Sequence, residues 1–588
     1  MMVPVINKNY DFIVVGGGMS GLCAAIAAAR GGAKTALVQD RPVLGGNASS
    51  EIRMHICGAD CHMTRPNARE TGILEEILLE NKHRGAGSNY PVFDSVLWEK
   101  AHFQKNLSLY LNTRVLGAAV RNGRVVSIQA GQMTTEKCFC LKAPLFADAT
   151  GDGVLGAKSG AEYRIGREAK SEFGEEHAPE SPDACTMGSS LMFHARDAGH
   201  PVRFTKPFWA NTYTEEELRL RDHSQVTSGY WWIELGGGRR EVIRDAEIIR
   251  DELLKAVFGV WDHIKNGGDH HAENMELDWV GFLPGKRESR RLMGPYVLNE
   301  NDCSGGRRFP DAVAYGGWPM DVHAVEGFLR AGEEPTVWLK LPDVYTIPYR
   351  SLYSVNIKNL FLAGRAISCT HMAFASSRVM GTCAVVGQAV GTAAALAVQR
   401  REEPADVLGQ IDGLQQALLR DDCYIPGIVN SDPLDLARQA EITASSCEEA
   451  CGPENVVNGA ARTVGKQANF WQAPVGGRPW LCLRFVRPVT VRKVSLTFDS
   501  NLSREITISL SDEVLARQVP GTPPELVKDY TLQGFCRGEQ VFEKDIEGNY
   551  QRHCVLLLEN PVECDRLLLT IRATNGAALA RVYEVRVY

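Results

Sequence analysis

Apolar and polar positions fall into two regimes along this chain. Phe12–Val15 is an unbroken apolar run, Ser20–Arg30 is rich in Ala and other small residues, and Thr35–Val38 is apolar again. Runs of this kind predict a buried strand, a helix and a second strand, one βαβ unit. Leu109–Val115, Val125–Gln129 and Cys138–Leu141 alternate in the β manner, with Asn122-Gly123 as a hairpin turn. Phe146 to Gly151 returns as a short strand ending in a Gly turn. From about residue 160 to 340 the pattern is irregular and rich in Trp, His and Arg, which reads as an inserted substrate domain. Asn359–Gly364 is a further buried strand. Ser377–Gln399 reads as one long small-residue helix, with Arg400 to Pro404 as its polar stop.

The pattern changes near residue 432. Beyond it, short alternating strands such as Leu481–Phe485, Val494–Phe498, Ile506–Leu510 and Leu567–Ile571 are separated by turn residues, with no long helix between them. This predicts an antiparallel β-sandwich. The expected division is 1–160 and 346–431 for the domain built on the βαβ unit, with its linker, 161–345 for the inserted domain, and 432–588 for the sandwich. The fold class is α/β with an α+β insertion, followed by an all-β jelly roll.

Composition narrows the functional classes. A chain of 588 residues is too long for one core. It is 44% hydrophobic and 23% charged, with formal net charge −7, so neither nucleic acid nor an anionic membrane surface is an expected partner. No apolar run reads as a membrane span, and the first residues have no charged and apolar leader pattern, which predicts a cytoplasmic protein. A trimmed periplasmic protein would look the same. Self-association stays open. The 16 Cys have irregular spacings and read as reduced thiols.

The most informative motif is Gly16, Gly18 and Gly21, a Gly-x-Gly-x-x-Gly turn between the first strand and the first helix. Such a turn sets bare backbone N–H groups and a helix N-terminus beneath a pyrophosphate. An acid is expected at the end of the second strand for the ribose hydroxyls, but the strand ends Val38-Gln39-Asp40.

Together with Gly45-Gly46-Asn47-Ala48-Ser49-Ser50-Glu51, Ala149-Thr150-Gly151-Asp152-Gly153 and Asn359–Arg365, this turn resembles the glutathione-reductase-type FAD fold. More narrowly, the chain resembles the bacterial FAD-dependent oxidoreductases related to fumarate reductase flavoproteins. Further matching stretches are Pro284–Arg291, Gly316–His323 and Ile347–Leu352. The resemblance covers about residues 10 to 400 and implies FAD as cofactor. It implies that Gly16, Gly18, Met19, Ser20 and Gly21 hold the pyrophosphate, and Gln39, Asp40 and Arg41 the adenosine ribose. The backbone near Val115 would reach the adenine. Gly45, Gly46, Asn47 and Ala48 would run along the ribityl chain and flavin, with Ala149, Thr150, Gly151 and Gly364 close by. The amides of Gly381 and Thr382 would face flavin N1 and O2. Many relatives carry an acid after the last strand's Gly; here it is Arg365, which would contact phosphate or substrate instead.

The tail resembles a second family. Ile442–Ser446, Val456–Gly459, Phe470–Gln472 and Arg581–Tyr588 follow the order of discoidin-type (coagulation factor 5/8 C) domains, which are galactose-binding-like jelly rolls.

A flavin leaves the protein to orient substrate and move a proton. His371, between the Asn359–Gly364 strand and the last helix, reads either as substrate-facing or as a helix-entry histidine bonded to backbone. Arg53 and His55 lie near the substrate side of the flavin or pack beneath its ring. Arg287, Arg290 and Arg291 bind an anion, clamp the cofactor, or pair with Glu288 and other acids. Asp321 and His323 form a carboxylate–imidazole pair if the backbone is extended there, and Tyr349 is a further candidate proton mover. Residues 55–62, His-Ile-Cys-Gly-Ala-Asp-Cys-His, read as thiols beside the flavin, and no metal site is expected. The expected reaction is hydride transfer between flavin N5 and a small molecule, with a carbohydrate or glycoside alcohol as the leading class. Reduction of an unsaturated carboxylate is the alternative, and a carbohydrate-binding protein with a vestigial flavin fold is the non-enzyme reading.

Overall fold

The computed structural model describes residues 4–85, 87, 89–227, 229–268, 270–330 and 332–588. The chain divides into two compact units. The first comprises residues 1–62, 88–414 and 507–517, and the second residues 63–87, 415–506 and 518–588. These units follow no single cut at 432.

The first unit is built on a five-stranded parallel sheet. Its order is Leu360–Leu362, Leu145–Asp148, Phe12–Val15, Thr35–Val38 and Leu107–Tyr110. The two strands of the βαβ unit, Phe12–Val15 and Thr35–Val38, are buried throughout, which is why they read as continuous apolar runs. The helix Met19–Arg30 follows the turn and packs against the helix Met380–Arg400. A Cβ on Gly387 or Gly391 would stand 2.0 or 2.1 Å from the carbonyl oxygen of Ser20 or Ala24, so the small residues of this helix are dictated by backbone contact. Met380–Arg400 is long and apolar enough to cross a membrane, yet 89% of its most apolar window is buried in protein.

A four-stranded sheet adjoins, ordered Val5–Asn9, Lys137–Lys142, Arg124–Gln132 and Thr113–Arg121. Asn122 and Gly123 form its hairpin turn, both at positive φ (52° and 71°). The expected strand Leu109–Val115 is two strands. Asn112, at φ 52°, turns the chain so that Leu107–Tyr110 joins the parallel sheet and Thr113–Arg121 the antiparallel one.

The inserted region is α+β. Ser189–Ser190 pairs with Glu234–Leu235 and Gly285–Lys286, and Phe193–Asp197 pairs with Met275–Val280. The helix Ala246–Asp262 closes over these strands on a core that includes Phe193, Trp232, Leu253 and Trp261. The expected single helix Ser377–Gln399 is two helices, His371–Ser377 and Met380–Arg400. Val379 is extended between them (φ −65°, ψ 147°), and the break coincides with Arg378 reaching to Asp321.

In the second unit, seven antiparallel strands form one hydrogen-bonded network. Leu481–Phe485 and Val494–Phe498 are parts of one bent strand, Trp480–Phe498, whose register shifts between Arg484 and Val489 and again between Val491 and Lys493. Leu567–Ile571 lies within the strand His553–Thr574. Ile506–Leu510 is not a strand. Its residues are buried on both faces, and Thr507 Oγ1 accepts the Ile56 N–H at 3.0 Å, which assigns 507–517 to the first unit. Conversely, the helix Ile73–His83 belongs to the sandwich unit, where Arg69 pairs with Glu75 and donates to the Asn501 carbonyl. Among the described residues no disulfide links the cysteines.

Candidate active site

The glycine turn is shaped for a phosphate. Gly16 sits at φ 102°, and a Cβ there would fall 2.3 Å from the Ala149 carbonyl oxygen. A Cβ on Gly21 would fall 1.8 Å from the Gly16 carbonyl oxygen. Both positions are therefore closed by protein. Gly18 is different: the nearest atom to its Cβ would be Gly46 Cα at 3.9 Å, so the space beside it is open. Gly45 bridges to Gly18, and Gly46 lies against it. Helix Met19–Arg30 has no side-chain cap, Met19 is buried, and the Ser20 hydroxyl is buried with no hydrogen-bond partner. An uncapped helix end with an orphaned hydroxyl beside an open glycine fits the pyrophosphate of a flavin dinucleotide. Gly364, at φ 66°, packs on Ser20.

Other expected cofactor contacts are committed to protein. Gln39 is buried; its Oε1 accepts the Gly17 N–H at 2.7 Å and its Nε2 donates to the Val43 carbonyl. It braces the turn rather than extending to the ribose, and Asp40 and Arg41 remain the more exposed polar groups there. Val115 lies in the hydrophobic core and pairs with Ala130. Thr150 donates to Asp148 and accepts the Val154 N–H, so its hydroxyl caps the next helix. Ala149 and Gly151 are close-packed backbone, the first against Gly16 and the second against the Arg365 guanidinium. Arg365 donates to the Lys286 and Arg287 carbonyls and stands 3.6 Å from Asp152. The Gly381 N–H is taken by the Cys57 carbonyl at 2.8 Å, which corrects its expected place at the flavin; Thr382, next in the helix, is buried. Asn47 donates to the Lys286 carbonyl, and Ala48 is buried beside it.

Between the Gly45–Cys57 segment and the start of the last helix lies a cavity of about 80 Å³. Asn47, Ile52, Met54, His55 and Cys57 form one wall, and Ser190, Met192 and Trp231 another. Lys286, Arg287, Arg365 and Arg378 give it a cationic lining, completed by Val379 and Met380. Of the arginine cluster, only Arg287 takes part. Arg291 is buried on Glu288, Glu168 and the Cys369 carbonyl, and Arg290 donates to the Asp152 carbonyl and lies over Tyr163.

The cationic wall is held from behind by one chain of ion pairs. Arg287 is 3.4 Å from Glu234 Oε2, and that oxygen is 2.6 Å from His323 Nδ1. His323 Nε2 is 3.1 Å from Asp321 Oδ2, which accepts from Arg378 Nη2 at 2.7 Å. The strand Met320–His323 supplies the extended backbone on which residues two apart share a face. Burial alone would raise both carboxyls, but Arg287 and His323 hold Glu234 below its ordinary value, and His323 and Arg378 hold Asp321 well below. Each nitrogen of His323 faces a carboxylate, so this ring braces the wall and does not open onto the cavity.

The remaining candidates are distributed as follows. His371 opens the helix His371–Ser377 with its N–H on Glu168, and its Nδ1 is 2.8 Å from Glu288. It sits in the Arg291 ion-pair network and not on the cavity wall. Tyr349 is fully buried and gives its hydroxyl to the Pro404 carbonyl at 2.6 Å, far from a proton-transfer role. Arg53 stacks over Trp279 at 4.2 Å, its backbone at φ 62°. His55 does face the cavity, and burial, together with His62 and Arg517, pushes its imidazole down to about 3. His55, Cys57 and His62 converge, whereas Cys61 turns to the Gly317 carbonyl. Arg378, Glu234, Trp231 and Ser190 were not singled out by sequence. Arg378 left a signal: it is the lone Lys or Arg between Ala366 and Gln399, in a stretch that must be buried.

Solved carbohydrate-binding modules resemble part of the chain. The family 32 module of C. perfringens NanJ, in complex with galactose, is 15% identical, with 26% of this chain and 94% of that one covered, at a TM-score of 0.19. The family 32 module from Streptococcus pneumoniae EndoD is 17% identical, with 26% and 98% covered, at 0.21. A Streptococcus pneumoniae fucose binding module, SpX-3, is 12% identical, with 26% and 96% covered, at 0.21. No curated protein matches the chain. The family model described as FAD dependent oxidoreductase matches residues 11–418, well over half of the sequence. With the glycine turn, the orphaned Ser20 hydroxyl and the cavity in place, the chain belongs to the FAD dependent oxidoreductase family, and FAD is its cofactor.

Proposed function

We propose that this enzyme exchanges a hydride between flavin N5 and a carbon of a small substrate carrying a carboxylate or other oxyanion. The observation that carries this reading is Arg378. It lines the cavity, its Nη2 is anchored on Asp321, and its Nε is buried without a hydrogen-bond partner. A buried guanidinium N–H without an acceptor costs about 1–3 kcal/mol or more, which a ligand oxygen would recover. Arg287 stands in the same lining, fixed by Ser190 Oγ and the Trp231 carbonyl.

Bound FAD supplies the hydride chemistry itself. The chain binds and orients the substrate. Arg378 and Arg287 hold its anionic end, and Ile52, Met192, Trp231 and Val379 exclude water from the reacting carbon. His55 offers a neutral imidazole to a hydroxyl or carbonyl oxygen, because its surroundings disfavour the charged ring. Reduction of an unsaturated carboxylate, or oxidation of its saturated form, suits such a lining. Oxidation of a carbohydrate or glycoside alcohol is the second reading, supported by the discoidin-like order of motifs in residues 435–588.

The test is anaerobic flavin bleaching, or reoxidation of the reduced flavin, across carboxylates and neutral sugars or glycosides. Carboxylates should react, and Arg378→Gln should raise their KM about 10–100-fold, the worth of one charge-assisted hydrogen bond. Turnover of neutral sugars alone, unaffected by Arg378→Gln, would overturn the oxyanion reading and leave the second.

A further inference from the structure

The inserted region carries a second constellation that the flavin chemistry does not use. Glu215 opens the short helix Glu215–Leu218, and His223 follows in the next loop. His263 stands where the helix Ala246–Asp262 widens into the π-turn His263–Gly267, and His270 lies just beyond that turn. One ligand atom from each of these four residues falls within 4.8 Å of the others. His263 Nε2 is 3.0 Å from Glu215 Oε2 and 3.2 Å from His270 Nε2. His223 Nε2 is 3.5 Å from Glu215 Oε1, and His270 Nε2 is 3.8 Å from Glu215 Oε2.

We propose that Glu215, His223, His263 and His270 bind one Zn²⁺ in a closed tetrahedral site that clamps the 215–223 segment to the end of the long helix. Ligand atoms about 2.0–2.1 Å from a tetrahedral ion lie roughly 3.3 Å from one another; the three separations among Glu215 Oε2, His263 Nε2 and His270 Nε2 straddle that value, and His223 Nε2 reaches the same carboxylate through its other oxygen. The three imidazoles do not stack. Their centroids are 4.9–5.3 Å apart and their planes 59–70° from parallel, so the rings approach one point from different directions. His223 Nδ1–H donates to the Arg221 carbonyl at 2.6 Å, which in a neutral ring leaves the Nε2 lone pair toward the cluster. A backbone acceptor on the far nitrogen is the usual support of a metal-bound histidine. Space is also reserved: a Cβ on Gly268, in ordinary extended backbone, would stand 3.0 Å from His270 Nε2. π-turns recur at functional sites, and this one carries His263. Three imidazoles and one carboxylate suit Zn²⁺ better than Ca²⁺ or Mg²⁺, which favour all-oxygen shells.

The test uses the full FAD-loaded chain. Elemental analysis should find about one zinc per chain. After treatment with a chelator, titration with ZnSO₄ should restore one equivalent and raise the thermal midpoint. X-ray absorption should give a shell of nitrogen and oxygen only. The double variant His263→Gln/His270→Gln should lose at least about 100-fold in Zn²⁺ affinity while keeping its flavin absorbance. Chelated protein that takes up no zinc from excess ZnSO₄ overturns the proposal without any variant. So does a Zn–S distance of about 2.3 Å, which would put the ion with Cys57, or zinc uptake unchanged in the double variant.

Discussion

The open space at Gly18 allows cofactor binding to be separated from folding by a single methyl group. In Gly18→Ala, the new Cβ has no protein atom nearer than 3.9 Å, and the backbone at φ −64° accepts any residue. Two small effects oppose each other in the flavin-free protein. Alanine restricts the unfolded chain, worth about 0.4–1 kcal/mol, and it is the poorer N-cap by a similar amount. Apo stability should therefore change by less than about 1 kcal/mol. With the pyrophosphate on this turn, as its open space invites, the same methyl would stand between a phosphate and the amides of the turn. Losing two charge-assisted hydrogen bonds at about 1.5–3 kcal/mol each weakens FAD binding by roughly 10²–10⁴-fold. Gly21→Ala is the contrasting perturbation, because its Cβ would meet the Gly16 carbonyl oxygen at 1.8 Å and drive helix and turn apart. It should destabilise even the flavin-free chain by about 1–3 kcal/mol or more. Thermal melting of deflavinated protein and FAD titration monitored by fluorescence measure the two quantities. Undiminished FAD affinity in Gly18→Ala would remove the pyrophosphate from this turn. An apo melting point lowered as far as in Gly21→Ala would mean that the space is not open.

Asp321→Asn should raise the KM for carboxylates, by less than Arg378→Gln does, with a smaller change in kcat, since Arg378 keeps its charge but loses the carboxylate that aims it. An unchanged KM would argue against a positioning role. The folded pKa values of Asp321, Glu234, Glu288 and Asp152 are all depressed, so their contribution to stability is present above the unfolded carboxylate range and is lost as pH falls through the folded values. Melting temperature should hold near neutrality and fall below about pH 4, with a shallower acid limb in Asp321→Asn. His55→Gln should leave the pH–rate profile between about pH 5 and 8 unchanged in shape, because an imidazole near 3 is neutral throughout; loss of a limb there would mean that the ring titrates in the working enzyme.

The parts of the fold legible in the sequence are those governed by local rules. A parallel strand buried on both faces must be a continuous apolar run, and Phe12–Val15, Thr35–Val38 and Leu360–Leu362 are found in that form. The pair Asp321 and His323 was also legible, because residues two apart on an extended strand share a face. Ile506–Leu510 misled because alternating hydroxyls resemble a half-exposed strand. Here both faces are buried, and Thr507 is satisfied by the Ile56 amide instead of by water. Glu215, His223, His263 and His270 escaped for the opposite reason: no short spacing joins them, and only the packing of the long helix against the preceding loop brings them within reach. His371 opens a helix of its own, His371–Ser377, instead of preceding the long one, and its surroundings are set by Glu288 and Glu168, which come from distant segments.

The cavity wall shows why the cationic groups of this site could not be ranked from sequence. Arg287 comes from the inserted region and Arg378 from the break between two core helices, so nothing local relates them. They are related through His323, whose two nitrogens each hold a carboxylate that in turn holds one arginine. Arg287 with Glu234 on one side of the ring, and Arg378 with Asp321 on the other, cost less together than any of them would alone, because each charge is paired with one of opposite sign. Arg378 ends the helix His371–Ser377, which packs beside the strand Met320–His323, and the extended Val379 then leads into the helix Met380–Arg400. The residue that looks like a misplaced charge in an apolar helix thus ties the core helices to the inserted region through Asp321, and in the proposed reaction its unpaired Nε is the group offered to a substrate oxygen.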